Sequence, residues 1–379
     1  MNIVKERSAH SGRLERWLGS DRINQLSGNA KGWYGPPIHI LDVPGSVKLG
    51  KDGDFTGPFE RGVFMSAADS LAATVGRALK AGGKSKVLNA GFGSVGLALQ
   101  AMSGGLGQML NGGQISKSGP TQVVGSAHSL WRVGTQPAAG SAGAAAPGGT
   151  AHTSANTGAM VYTNPSSGTL HLVGADFSAS VINNAIMVYD RLFSVAKTIN
   201  STATEAVTGV PTRYQNTTAN AADSVGGNFL FVEVGATQLA NTAHNWTVCQ
   251  YTDDAGNATQ TLPSFAGNPG AVATIVDRFD MPVNSWFAPL ATGDIGIKAL
   301  SQMQCSALVA TGACNFVIGH PIGVMAFPII NIPLPFDWLT NRNLAPRIFD
   351  NACLAMFVMP CPTTTATTYQ GTLYAANAL

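Results

Sequence analysis

Residues 168–214 read GTLHLVGADFSASVINNAIMVYDRLFSVAKTINSTATEAVTGVPTRY, and this stretch decides the fold class. It holds two runs of strand-type residues, 169–173 and 185–189. β-Branched and aromatic side chains suit a pleated surface packed on at least one face. The second run ends in a charged pair, Asp190-Arg191, set between Tyr189 and the apolar Leu192-Phe193. Burying two charges is costly unless they meet each other or backbone groups. No base, nucleophile or metal ligand lies beside the pair in sequence. Tyr189, Asp190 and Arg191 are therefore read as a structural staple that sets sheet register or a subunit contact.

Downstream, the texture stays β. From about residue 161 short strand patterns recur every 8–12 residues with turn signals between them, the pattern of an antiparallel sandwich. Residues 229–234 (FLFVEV) form the best of these, followed by 245–252, 271–276, 295–299, 306–310, 316–318, 355–359 and 371–374. Asp253-Asp254-Ala255-Gly256-Asn257 is the composition of a tight hairpin turn. The proline-rich 327–335 cannot be a central strand and is read as a crossing segment packed on a neighbour or on its own sandwich.

Upstream, residues 135–160 are dominated by Ala, Gly, Pro, Ser and Thr, which reads as a linker or loop. Residues 66–80 carry the clearest helical signal. Ser66 is a good N-cap, Leu71, Val75 and Leu79 recur at spacing four, and Gly82-Gly83 follows as a stop. Before it, Gly-Pro and Pro-Gly steps about every ten residues rule out a long regular element. The expected organisation is thus mainly β. An extended basic N-terminal arm spans 1–64, a small helix with a Gly-rich segment 65–134, the linker or loop 135–160, and a jelly-roll-like sandwich 161–379.

The chain has 379 residues, of which 11% are charged, against about a quarter in ordinary globular domains. Such a surface, rich in small polar residues and poor in charge, fits extensive subunit contact. Residues 1–86 carry 13 Lys and Arg against 8 Asp and Glu, and residues 87–379 carry 9 against 12. An excess of five positive charges is too mild for nucleic acid as the main ligand and fits an arm lying on an acidic neighbour. Five cysteines, none in a CxxC, read as buried free thiols. No uninterrupted apolar run reaches the ~18 residues of a membrane helix, so no membrane partner is expected.

No motif carries a reaction. Gly91-Phe92-Gly93-Ser94-Val95-Gly96 matches GxGxxG, but no acidic residue stands between Asp69 and Asp176, so the ribose contact of a dinucleotide site is missing. The seven histidines are scattered, with no HxH or HExxH, so no metal is expected. No GxSxG elbow occurs. The expectation is a protein with no catalytic, cofactor-binding or metal-binding residues.

Residues 129–261 carry a resemblance. A Leu-Trp precedes a Gly/Pro/Ala run, then come VYDRLF, a Pro-Thr-Arg element at Arg213, a Glu inside an apolar strand and the polar hairpin YTDDAGN. In this order they resemble structural proteins of tailed bacteriophages encoded among the head genes. The resemblance covers about a third of the chain. It implies a β-rich, capsid-associated virion protein of the cement, decoration or vertex type, present in many copies. It implies self-association as a trimer or pentamer, contact with other capsid proteins and assembly in the host cytoplasm, with Arg213 joining the structural residues. The major capsid shell protein is the alternative within that class, although no long spine helix is seen in the second half. A carbohydrate-binding adhesin or tail-tip module is the alternative outside it.

Overall fold

The computed structural model describes residues 48–49, 55–56, 105–119, 121–215, 227–268, 277–339, 345–360 and 364–378. The chain divides into two compact units, Met1–Ser85 and Lys86–Leu379. In the first, β1 (Lys48–Leu49) pairs antiparallel with β2 (Phe55–Thr56). The helix expected over 66–80, the Gly91–Gly96 motif, the strand expected over 271–276 and nearly all of the arm lie outside the described residues. The second unit is mainly β, and no α-helix occurs among its described residues.

Two large antiparallel sheets organise that unit. In the central sheet the order runs from β11 (Phe229–Val234) through β17 (Ala313–Phe327), β9 (Asn184–Thr198) and β20 (Leu354–Val358) to β5 (His128–Ser129). β7 (Thr150–Ala151) also pairs with β9. The second sheet is centred on β8 (Thr169–Ala179) and β21 (Thr368–Ala378), which pair along their whole lengths. Around them lie β3 (Gly107–Met109), β4 (Ile115–Ser118), β6 (Thr135–Gln136), β18 (Leu334–Asp337) and β19 (Arg347–Ile348). Pro335 sits in the edge strand β18, a position where a sheet tolerates the missing N–H. A smaller sheet joins β10 (Glu205–Ala206), β16 (Ile297–Met303), β13 (Gln250–Asp253) and β14 (Gln260–Thr261), and β12 (Asn245–Trp246) pairs with β15 (Phe265–Ala266).

Over β9, β11 and β20 the central sheet is covered on both faces, which explains their continuous apolar runs. Successive strand residues point to opposite faces. In β20, Leu354, Met356 and Val358 enter the core shared with β8 and β21, where they meet Leu172, Phe177 and Leu373. Ala355 and Phe357 enter the other core, beside Tyr189, Phe231 and Phe279. The Phe357 ring lies 5.2 Å from Phe279 and 5.4 Å from Tyr189, centroid to centroid. LAMFV has no polar alternation because neither face meets water.

Several expected strands differ in extent. The one expected over 245–252 is two, β12 and β13. Within the segment assigned to 65–134, β3, β4 and β5 are short strands of two to four residues. Residues 306–310 are not a strand at all. They form a loop held at two points, Ser306 N–H to the Asn245 carbonyl (2.9 Å) and Val309 N–H to the Ile199 carbonyl (2.8 Å). Val309 is fully buried while Leu308 is 63% exposed, so the apolar pattern marked a single anchor, not a pleat. The 253–257 turn is closed by Asp253, whose carboxylate accepts from the Asn257 N–H and amide, both at 2.8 Å. The Ala/Gly/Pro-rich 135–160 runs as a loop against β9. Ala196 N–H donates to the Ala144 carbonyl (2.9 Å) and Ala146 N–H to the Ala196 carbonyl (3.1 Å). A Cβ on Gly143 would stand 2.5 Å from the Ser194 carbonyl oxygen, so small residues allow this close approach. Cys249, Cys305, Cys314 and Cys353 are free and buried.

Candidate functional site

The centre of β9 is flanked by two irregularities in its ladder with β17. Opposite Ile318 and Gly319 stand Phe193 and Arg191, which leaves Leu192 extra. Opposite Tyr189 and Val188 stand Pro321 and Gly323, which leaves Ile322 extra. Bulges re-aim side chains and locally end regular pairing. Tyr189, Asp190 and Arg191 occupy the short stretch between them, and all three side chains are inaccessible to solvent.

Asp190 and Arg191 do not pair with each other. Neighbours on a strand point apart, so each finds its own partner. Arg213 meets Asp190 in a two-pronged contact, Nε to Oδ2 at 2.8 Å and Nη2 to Oδ1 at 2.6 Å. Oδ1 also accepts the Cys353 N–H at 2.8 Å. Arg191 reaches β11, with Nη2 donating to Glu233 Oε1 at 2.6 Å and Nη1 to the Tyr189 hydroxyl at 3.2 Å. Trp131 lies over the guanidinium, 5.0 Å from its ring centroid. A Cβ on Gly140 would stand 2.1 Å from the Trp131 ring, so this glycine admits the indole. Arg213 further donates to the His152 carbonyl at 2.9 Å. The four residues singled out in the sequence, Tyr189, Asp190, Arg191 and Arg213, thus lie in one buried network that joins β9, β11, the start of β20 and the loops at 131, 152 and 213.

Charge in the network balances, two guanidinium groups against two carboxylates. Burial opposes the Arg191 charge, but Glu233 and the Tyr189 hydroxyl outweigh it and hold the guanidinium above its ordinary value. Burial, with the Asp190 charge behind it, pushes the Cys353 thiol up to about 12. His152 Nε2 lies 2.7 Å from Ser194 Oγ, the spacing of a nucleophile–base pair. It also receives Arg191 Nε–H at 3.4 Å. Burial first, then the Arg191 and Arg213 charges, push His152 down to about 2. A base that weak does not take a proton from serine near neutral pH. The hydroxyl therefore serves as a donor that fills the histidine lone pair.

A second cluster lies where β12 and β15 meet the 277–280 segment. Asp280 Oδ2 accepts His244 Nε2–H at 2.8 Å and Trp246 Nε1–H at 2.9 Å, and Oδ1 accepts the Asn268 N–H at 2.8 Å. His244 Nδ1 faces the Thr242 carbonyl at 2.9 Å. Both ring nitrogens face acceptors, so the geometry calls for the doubly protonated imidazolium. Burial opposes this charge, but the Asp280 contact prevails and raises the histidine. Conversely, Asp280 is lowered against its own burial, chiefly by His244. Neither residue was singled out from sequence. The available signal was charge inside apolar runs, at Glu233 in FLFVEV and at Arg278 and Asp280 in DRFDM. Among the described residues no group of three or more His, Cys, Asp or Glu side chains could hold a metal ion.

No protein-family model matches the chain, and no curated protein matches it. Two solved structures were found to be similar, both of infectious bursal disease virus. The Gt strain structure is 10% identical, covers 72% of this chain and 82% of its own, and has a TM-score of 0.12. The VP2 subviral particle is 10% identical, covers 75% and 86%, and has the same TM-score of 0.12. At that TM-score the superposition carries no argument about fold or function.

Proposed function

We propose that this chain is a non-enzymatic structural protein of a virion, associated with the capsid and acting through subunit contacts. One observation carries the reading. Of the 19 charged side chains among the described residues of Lys86–Leu379, 11 are buried and five are half-buried. Only Asp176, Asp337 and Asp350 are exposed. Lys, Arg, Asp and Glu are almost never buried without partners, and a free-standing protein normally keeps them in water for solubility. Here they hold the interior together and leave an outer surface of small polar and apolar residues. Such a surface suits contact with other subunits. No Lys or Arg is exposed among these residues, so they offer little to a phosphate backbone.

The buried network supports a structural role for Tyr189, Asp190, Arg191 and Arg213. A catalytic role would need an accessible group with a pKa near neutrality, and the His152–Ser194 pair offers neither. Two packed antiparallel sheets suit a jelly-roll-like capsid module, and the resemblance over residues 129–261 points to the same class. The reading takes two forms: a cement, decoration or vertex component built as a closed trimer or pentamer, or the shell subunit itself. Size-exclusion chromatography with light scattering on the purified chain tests the common claim, with a defined oligomer expected. A clean monomer at micromolar concentration would overturn it. Electron microscopy of the same sample separates the forms, since only a shell subunit closes into particles alone.

A further inference from the structure

We propose that the outer edge of β17 at Val324 and Ala326, with the apolar loop that follows, is a contact site for a second copy of this chain. The inference rests on the assembly reading above and names the surface that reading leaves open.

β17 is paired with β9 along its whole length, but β11 covers only Cys314 to Gly319 on its other side. Beyond Gly319, the strand is an edge of the central sheet among the described residues. The direction of its main-chain groups follows from its neighbours. Arg191 N–H bonds the Cys353 carbonyl and Met359 N–H bonds the Ala185 carbonyl, so odd-numbered residues of β9 address β20. Even-numbered ones therefore address β17, where Val188, Ile186 and Asn184 stand opposite Gly323, Met325 and Phe327. Val324 and Ala326 are left with N–H and C=O groups pointing away from β9. Both residues are exposed, and neither group has a partner among the described residues.

The flanking surface is apolar. The 328–333 loop is tied to the turn between β8 and β9, with Asn331 N–H on the Ala179 carbonyl and Asn183 N–H on the Phe327 carbonyl. The loop so tied carries Ile329, Ile330 and Ile332 and the turn carries Ile182, each between 46% and 50% exposed, while Val324, three residues before Phe327, is 43% exposed. No Asp, Glu, Lys or Arg occurs anywhere in residues 299–336. Proteins that stay monomeric protect an open edge with charges, especially lysine. Proline and bulges also protect edges, and Pro321 and the bulge at Ile322 stand just ahead of this one, but from Gly323 to Phe336 it carries no charge and its isoleucines extend the exposed surface.

A second copy is the occupant that fits this chemistry. A charge-free strip matches another charge-free strip, whereas a charged partner would lose hydration without a counter-charge. Two outward-facing strand residues pair antiparallel with the same residues of a copy, so the edge is complementary to itself about a two-fold axis. Contacts of this kind would link closed trimers or pentamers to one another. The absence of exposed basic or large aromatic side chains on the strip argues against an anionic lipid surface.

Three variants of the full chain test the proposal beside the wild type. Val324→Lys and Ile330→Asp place charge on the strip, and Ala326→Cys places a thiol at the edge, since the four described native cysteines are buried. By light scattering, the two charge variants are expected to need at least tenfold more protein to reach the wild-type mass, with unchanged melting. Ala326→Cys is expected to form a covalent dimer under mild oxidation. A wild type that is monomeric overturns the assembly reading itself. A wild-type oligomer that both charge variants retain, with no covalent dimer from Ala326→Cys, overturns only this surface. Wild-type binding to phosphatidylcholine vesicles that Ile330→Asp abolishes would replace the second copy with a membrane.

Discussion

The two halves of β17 invert the usual distribution of a protein's side chains. Its first half, between β11 and β9, borders a dry interior that holds Arg191, Glu233, Asp190 and Arg213. Its second half faces outward with Val324 and leads into three exposed isoleucines. Ordinary globular proteins put charge outside and isoleucine inside. The inversion shows that the two halves answer to different requirements. In the first, opposed charges fix which strands meet and in what register. In the second, the edge passes Pro321 and the bulge at Ile322 and then carries exposed apolar residues and no charge.

The largest expected effect lies in the first half. Arg191→Ala removes one partner and leaves Glu233 buried without compensation, so it should cost about 3–5 kcal/mol by denaturant unfolding. A loss below about 1 kcal/mol would place the pair in contact with solvent. Arg191→Met combined with Glu233→Leu should cost less than the single change, because no charge is left stranded.

Next comes acid. Burial pushes His152 to about 2, His320 to about 3 and His128 to about 4, all below the unfolded value of about 6.5. Below pH 6.5 the unfolded chain takes up protons that the folded chain refuses. The stability these groups contribute is therefore present above pH 6.5 and lost as the pH falls. For His152 alone the loss is about 1.4 kcal/mol per pH unit. Melting curves between pH 7 and 4.5 should show it, and His152→Asn should flatten the dependence. A melting temperature that stays level over that range would contradict the buried neutral imidazoles.

His244 behaves in the opposite sense. Its folded value is raised, so its contribution is complete below about pH 6.5 and disappears as the pH rises through the folded value. His244→Gln should cost about 1.5–3 kcal/mol at pH 6 and less at pH 9, read from paired unfolding curves. Equal costs at the two pH values would mean that the imidazolium does not form.

The smallest expected effect on folding lies in the second half. Ile330 is 46% exposed, and Ile330→Asp should change unfolding stability by no more than about 0.5 kcal/mol. A loss of several kcal/mol would make the loop part of the core and remove the contrast between the halves.

Much of the fold was legible. FLFVEV, 169–173 and 185–189 are strands because β-branched and aromatic residues crowd into short runs, and 253–257 turns because Asp253 bonds its own backbone. Residues 306–310 misled because one buried anchor, Val309, sat among other apolar residues. The need for partners at Asp190 and Arg191 was readable, while His244 and Asp280 were not, since no local spacing connects residues 36 apart.

What the sequence determined by itself was local: β character, a charged pair that could not stay uncompensated, and a chain in which only 11% of residues are charged. The tertiary structure decided who meets whom. Arg191 finds Glu233 42 residues away, Asp190 finds Arg213 at 23 and the Cys353 N–H at 163. Alternation along a strand sends neighbouring side chains to opposite faces, so the two adjacent charges could not satisfy each other. Which residue waits on each face depends on the register between strands, and two bulges set that register here.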